Sequence, residues 1–242
     1  MTQPIPILMY HQVAVPAARG TQFRGLTVHP SSFRRQMTWM KRLGYRGLSM
    51  RDLTPYLAGE RTGKVFGITF DDGFRNVFEN ALPVLSELGF TSTNYFVANQ
   101  FDGGNIWDQG KNIPFAPLMS VAQARAWLSA GQEVGSHTLD HVHLPQIPVD
   151  EARRQISLSR EILEQETGTR VTAFCYPYGD FKPEHGLLAK EAGYTTATTT
   201  NRGLANTADD PFFLPRVGIW RTTHLLRFLQ KCLTRHEDRR RA

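Results

Sequence analysis

Two short stretches gather the side chains that can do chemistry. In Gly67-Ile68-Thr69-Phe70-Asp71-Asp72-Gly73, a run that reads as a strand meets two adjacent carboxylates where the chain has to turn. Alternation along a strand points neighbouring side chains apart, but Gly73 permits a sharp bend that brings both carboxylates toward one pocket. Taken alone, the motif is better explained as a solvated Asp-Gly turn. The second stretch, Val134-Gly135-Ser136-His137-Thr138-Leu139-Asp140-His141-Val142-His143-Leu144, sets three histidines close together after another strand pattern. If the segment forms a helical turn, His137 and His141 share a face, a spacing that lets two imidazoles reach one ion. The plainer alternative is a pair of surface histidines. Two histidines and one carboxylate leave coordination positions open for water, as in a hydrolytic rather than a structural metal centre. The aspartate left over, Asp71 or Asp72, then stands where a general base is needed.

The surrounding pattern supplies elements to hold these residues. Apolar, β-rich runs at Ile5 to Tyr10, Val65 to Phe70, Thr93 to Val97, Glu133 to Ser136, Ala173 to Tyr176 and Thr195 to Thr199 read as strands. Helical patterns fill the gaps. Ser31 or Ser32 is a candidate cap for a helix through Phe33, Met37 and Met40 to Leu43, with Gly44 as its left-handed stop. Ser120 with Gln123 reads as a capping box before Ala124 to Leu128, closed by Gly131. Asp150 opens a long helix that stops near Gly168, and Pro183 opens one that ends at Gly193. The repeated β-then-α order predicts a parallel sheet wrapped by helices, and the number of units favours a closed, distorted (β/α) barrel of about seven strands over an open doubly wound sheet. In such barrels chemistry collects at the carboxyl ends of the strands, where both motifs lie. Gln100 to Leu118 is long and rich in Gly, Asn, Asp and Pro, which makes it a candidate functional loop.

Composition narrows the class of protein. At 242 residues with 40% hydrophobic content the chain can bury one substantial core, and a single domain over 1–234 is expected. No run approaches the roughly 18 apolar residues of a membrane span, and Met1-Thr2-Gln3-Pro4-Ile5-Pro6 lacks the order of a signal peptide, which predicts a cytoplasmic protein. Cys175 and Cys232 form no CxxC pair, so neither a disulfide framework nor a cysteine zinc site is implied. The net charge of +6 owes much to Arg235-His236-Glu237-Asp238-Arg239-Arg240-Arg241, within a 235–242 tail that reads as a solvated charge run, with peripheral contact to an anionic membrane as the alternative. No zinc finger, basic helix or aromatic-basic stripe accompanies the charge, which argues against nucleic-acid binding.

With these residues in view, Thr69-Phe70-Asp71-Asp72-Gly73 and His137 to Leu144 resemble the first two motifs of the polysaccharide deacetylases, the NodB-like carbohydrate esterase family four. Phe174-Cys175-Tyr176-Pro177-Tyr178-Gly179-Asp180 resembles the third motif, although Cys175 stands where many members have arginine. That departure, together with the opening Ile7-Leu8-Met9-Tyr10-His11, is similar to the branch of poly-N-acetylglucosamine deacetylases, in which the motifs look circularly permuted. The resemblance runs from Ile7 to about Trp220. It implies Asp71 as base, Asp72, His137 and His141 as metal ligands, and His11 as general acid, with His224 in Thr222-Thr223-His224-Leu225-Leu226 as the competitor for that last role. It also implies that Arg216, in Leu214-Pro215-Arg216-Val217, steadies the catalytic aspartate, that Tyr178 offers a backbone N–H to an oxyanion, and that the Tyr176-Pro177 step lines a groove.

Trp107 and Asp108, on the long loop, are candidates for stacking on and hydrogen-bonding to a sugar; equally, the tryptophan can fasten its own loop. The implied activity is metal-dependent hydrolysis of an N-acetyl group on an N-acetylglucosamine-type residue of a polysaccharide or glycolipid. Zinc is the default ion, with cobalt, nickel or ferrous iron compatible with the same donors. Two rivals remain open: a hydrolase of a non-sugar amide or cyclic imide on the same site, and a glycan-binding relative with impaired catalysis.

Overall fold

Nearly every strand residue is buried, as expected where helices cover one face of a parallel sheet and side chains fill the other. The computed structural model describes residues 4–240; Met1 to Gln3 of the opening segment, and Arg241 and Ala242 of the tail, lie outside the described residues. The strands are β1 (Ile7–Tyr10), β2 (Gln12–Val13), β3 (Thr27–Val28), β4 (Arg46–Leu48), β5 (Val65–Phe70), β6 (Thr93–Phe96), β7 (Glu133–Ser136), β8 (Ala173–Cys175), β9 (Thr196–Arg202) and β10 (Leu214–Gly218). The principal sheet runs β1-β10-β9-β8-β7-β6-β5-β4, and β1 pairs also with β5, so the sheet closes into a seven-stranded parallel barrel. Strand β4 stands outside the ring. It pairs with Val65 to Gly67 at the start of β5, while β6 takes Thr69 and Phe70 further along.

Two-residue periodicity divides the core. Ile7, Val65, Tyr95, Ala173, Cys175 and Leu214 fill the barrel interior, whereas Leu8, Phe66, Phe70, Val134, Phe174 and Val217 face the helices. A Cβ at Gly135 would come within 2.5 Å of the Tyr95 ring, so the glycine makes room for a tyrosine inside the barrel.

The outer layer comprises α1 (Pro30–Arg42), α2 (Met50–Leu57), α3 (Arg75–Asn80), α4 (Leu82–Leu88), α5 (Val121–Ser129), α6 (Val149–Thr167), α7 (Pro183–Glu191) and α8 (Leu225–Leu233). Helix α1 buries Phe33, Gln36, Met37 and Met40, an i, i+3, i+4, i+7 stripe. Its cap is His29, whose Nδ1 accepts from the Ser31 N–H, and not Ser31 or Ser32, because Pro30 already occupies the first helical position. The Ser120–Gln123 capping box forms as predicted, and Gly168 ends α6 in the left-handed conformation.

The segment after α8 departs from the expected solvated run. Glu237 is fully buried, accepts from Arg202 at 2.9 Å and forms an ion pair with Lys231 at 3.0 Å, and the Leu204 N–H donates to Asp238. Two cations already in the fold draw that carboxylate inward. No helix of the described residues is long and apolar enough to cross a membrane.

Candidate active site

The carboxyl ends of β1, β5, β7, β8 and β10 converge on one cleft. At the end of β5 the bend begins one residue earlier than Gly73 alone would require: Asp72 itself has φ 78° and Gly73 has φ 81°. A left-handed aspartate is a costly backbone state that persists only where its surroundings enforce it. A Cβ at position 73 would press on the Phe96 ring at 2.9 Å, so glycine is needed there for space as well as for φ. The turn separates the two carboxylates into different environments.

Asp71 points to the barrel interior. Arg216 Nη1 and Nη2 donate to its two oxygens at 2.7 and 2.8 Å, and the same guanidinium donates to Thr69 Oγ1 and to the Thr199 carbonyl. Burial alone would raise the Asp71 pKa, but the paired guanidinium outweighs it and holds the carboxyl below its ordinary range. Cys175 Sγ lies 3.2 Å from Arg216 Nη2. A guanidinium from β10 thus stands beside the thiol of the third motif.

Asp72 faces His137 and His141. Its Oδ1 lies 3.4 Å from His137 Nε2 and 3.3 Å from His141 Nε2, and all three residues are buried. His137 Nδ1 lies 2.8 Å from the Cys175 carbonyl, which can only accept, so Nδ1 carries a proton and Nε2 is the ring nitrogen turned to Asp72.

The two histidines meet without a helix. Residues 137–143 form a turn with Thr138 at φ 68° and His141 at φ 57°, so the predicted helical face is corrected to two left-handed residues that fold the chain back on itself. Thr138 Oγ1 accepts from the His141 N–H, and the Thr138 and Leu139 carbonyls accept from Ala98 and Asn99. Gln155 of α6 accepts from the N–H groups of Leu139 and Asp140 and donates to the Asp140 carboxylate, which also takes a hydrogen bond from Asn99. Asp140 therefore fastens the turn and orients no imidazole.

Whether these residues suit a metal ion can be judged from the donors. Asp72 Oδ1 is buried without a hydrogen-bond partner, and 3.3–3.4 Å is longer than a charge-assisted hydrogen bond, which runs about 2.7–2.9 Å. Two donors each about 2.1 Å from a tetrahedral ion stand about 3.4 Å apart. The Asp72, His137 and His141 donor atoms all lie within 4.8 Å of one another, and the set fits a divalent ion better than it fits a hydrogen-bonded cluster.

His11, just after β1, lies with Nε2 3.9 Å from Asp71 Oδ2, and its ring stacks on Trp220 at 6.4 Å. His224 sits elsewhere: it is the exposed N-cap of α8, its Nδ1 facing the Arg227 N–H at 3.4 Å. On the opposite rim the Trp107 ring stacks on His141 at 4.5 Å. Asn105 draws this loop together, accepting from the Ala116 N–H and donating to Asp108 and the Pro114 carbonyl, so Asp108 is engaged within the loop.

Tyr178, at φ 61°, packs edge-on against His141 and flat against His143 at 3.6 Å, while His143 pairs with Asp180 at 2.7 Å. Tyr176 does not line the groove. It is fully buried among Phe174, Phe181 and Phe213, with its hydroxyl on the Phe212 carbonyl, and Pro177 is buried as well. The exposed aromatic of this motif is Tyr178, two residues on, because the strand alternation that turns Cys175 inward turns Tyr176 toward the helices. Trp220 and the His143–Asp180 pair escaped the motif reading; an aromatic just past a strand end was the only available signal.

The polysaccharide deacetylase family profile matches residues 58–197 of the chain. YxkH of Bacillus subtilis, which carries the polysaccharide deacetylase name, is 25% identical over 89% of this chain and 71% of its own length. The poly-β-1,6-N-acetyl-D-glucosamine N-deacetylase of Escherichia coli is 23% identical over 95% of this chain but only 38% of its own length. Among solved structures, the Streptococcus pyogenes deacetylase PplD in complex with acetate superposes with a TM-score of 0.84 at 26% identity, over 96% of this chain and 99% of that one.

Proposed function

Because the chain belongs to the polysaccharide deacetylase family, we propose that it is a metal-dependent hydrolase that removes N-acetyl groups from N-acetylglucosamine-type residues of a glycan. The observation that carries this reading is the division of labour between adjacent carboxylates: Asp72 converges on two imidazoles while Asp71 is held by a guanidinium. A divalent ion held by Asp72, His137 and His141, with zinc as first choice, would supply the Lewis acidity that polarises an acetamide carbonyl and makes water nucleophilic near neutral pH.

Asp71 takes the proton from that water. Its pairing with Arg216 keeps it ionised and fixes its direction, at the expense of basicity. The Tyr178 backbone N–H donates to the developing oxyanion, a preorganised contact of the kind worth about 3 kcal/mol. His11 protonates the leaving amine; its distance of 3.9 Å from Asp71 favours it over His224, which is engaged in capping α8. Trp107 and Tyr178 border the cleft as walls for a sugar ring. The products are acetate and an amine that is cationic at neutral pH.

The test is acetate release from short N-acetylglucosamine oligomers by chelated protein and by protein reconstituted with zinc or cobalt. Release that follows the metal and disappears in Asp71→Asn supports the reading. Stoichiometric metal binding with no release under any metal directs the search to a non-sugar amide, and failure to bind metal overturns the mechanism.

A further inference from the structure

Beside the cleft, at the carboxyl ends of β1, β9 and β10, lies a second cavity of about 670 Å³. Its wall includes Trp220, whose other neighbour is the ring of His11, so the two spaces are one indole apart. Three cations line it. Arg202 and Lys231 share the single carboxylate of Glu237, and Lys231 Nζ also donates to the Gly218 carbonyl at 3.0 Å. Arg227 donates to the neutral Gln230 and makes no ion pair among the described residues. Positive charge therefore exceeds negative around the cavity, and the buried Lys231 is held in place before any ligand arrives. Thr200 and Thr222 add hydroxyls to the wall, and the indole offers a half-buried aromatic face.

We propose that this cavity is a subsite for an anionic oxygen group, a carboxylate or a phosphate, on the sugar residue next to the one that loses its acetyl group. The inference rests on the glycan reading above and sharpens it: the preferred glycan is acidic beside the acetamido sugar. A sugar whose amine departs next to His11 has its neighbour against Trp220, and an acidic substituent there meets Arg227 first. Its guanidinium presents paired N–H donors suited to either oxyanion.

The experiment uses the chelated full chain, so that no anion can be held by a metal ion, and compares binding of three disaccharides, N,N′-diacetylchitobiose, its 1-phosphate and N-acetylglucosaminyl-N-acetylmuramic acid, by ligand-observed NMR at low ionic strength. At least one acidic sugar should bind about tenfold more tightly than the neutral one, and which one does so identifies the substituent. Arg227→Gln, a change at a partly exposed helical position, should erase the advantage, and Arg227→Lys should keep part of it. Equal binding of the three sugars, or an advantage that survives Arg227→Gln, overturns the subsite. Because binding is read without turnover, an absence of acetate release would count against the catalytic reading alone.

Discussion

Removing the carboxylate of Asp71 takes away the counter-charge of a fully buried guanidinium and, on the proposed mechanism, the base. Asp71→Asn should lower kcat by about 10²–10⁴-fold while metal binding, which uses Asp72, persists. It should also lower thermal stability, because Arg216 is left with a neutral partner. Activity is therefore to be compared well below the melting temperature, with metal content measured on the same sample. The two histidine candidates separate just as clearly. His11→Ala should cost about 10²-fold in kcat with metal retained, whereas His224→Ala should leave kcat within about twofold and shorten α8 by its cap; equal small losses in both would remove both as general acid. These residues were legible because a strand-end Asp-Asp-Gly and a His-rich segment constrain one another. Tyr176 was misread because a motif names residues in line, whereas the β8 alternation decides which of them reaches the cleft.

At the scale of elements, the 137–143 turn brings His137 and His141 together only because Thr138 and His141 take left-handed φ, and Gln155 of α6 holds the backbone between them. Gln155→Ala should leave the buried Leu139 N–H, the half-buried Asp140 N–H and the Asp140 carboxylate without that partner, and lower metal affinity by roughly tenfold without touching a proposed ligand. Equilibrium titration with a competing chelator measures this directly; unchanged affinity would mean that the Thr138 and Asn99 contacts suffice. No sequence periodicity announces such a turn, since positive φ at threonine or histidine is imposed by tertiary contacts rather than by local propensity. Strands β1 and β8 were readable as short apolar runs, and β5, β6 and β9 through their β-branched and aromatic residues, while β4, with three residues, and β10, interrupted by Pro215 and Arg216, carry too little of either signal.

For the whole molecule, the buried Glu237 ties the segment after α8 to Arg202 on β9 and to Lys231 on α8. Burial would raise its pKa, but the hydrogen bonds from Arg202 and Lys231 prevail and depress it. A depressed carboxylate contributes stability that is present above its unfolded value, about pH 4.3, and is lost as pH falls through the lower folded value. Glu237→Gln should therefore flatten the acid side of the stability curve, and Glu237→Ala should cost about 3 kcal/mol at pH 7, both measurable by urea denaturation at pH 7 and pH 4. Charge counting alone took this stretch for a solvated run, because two adjacent acids among arginines give no hint that one of them is drawn inward.

Closure of the barrel bears on the order in which the site is completed as the chain leaves the ribosome. Asp72, His137 and His141 lie on the contiguous stretch from β5 to the turn after β7, whereas the Asp71–Arg216 pair spans 145 residues and β1 gains its second neighbour only when Val217 arrives beside Leu8. Contacts of such long sequence separation form late. On the proposed mechanism, a nascent chain should thus be able to capture an ion before Asp71 is steadied, which would make metal supply during synthesis, and not only afterwards, a determinant of how much competent protein a cell obtains.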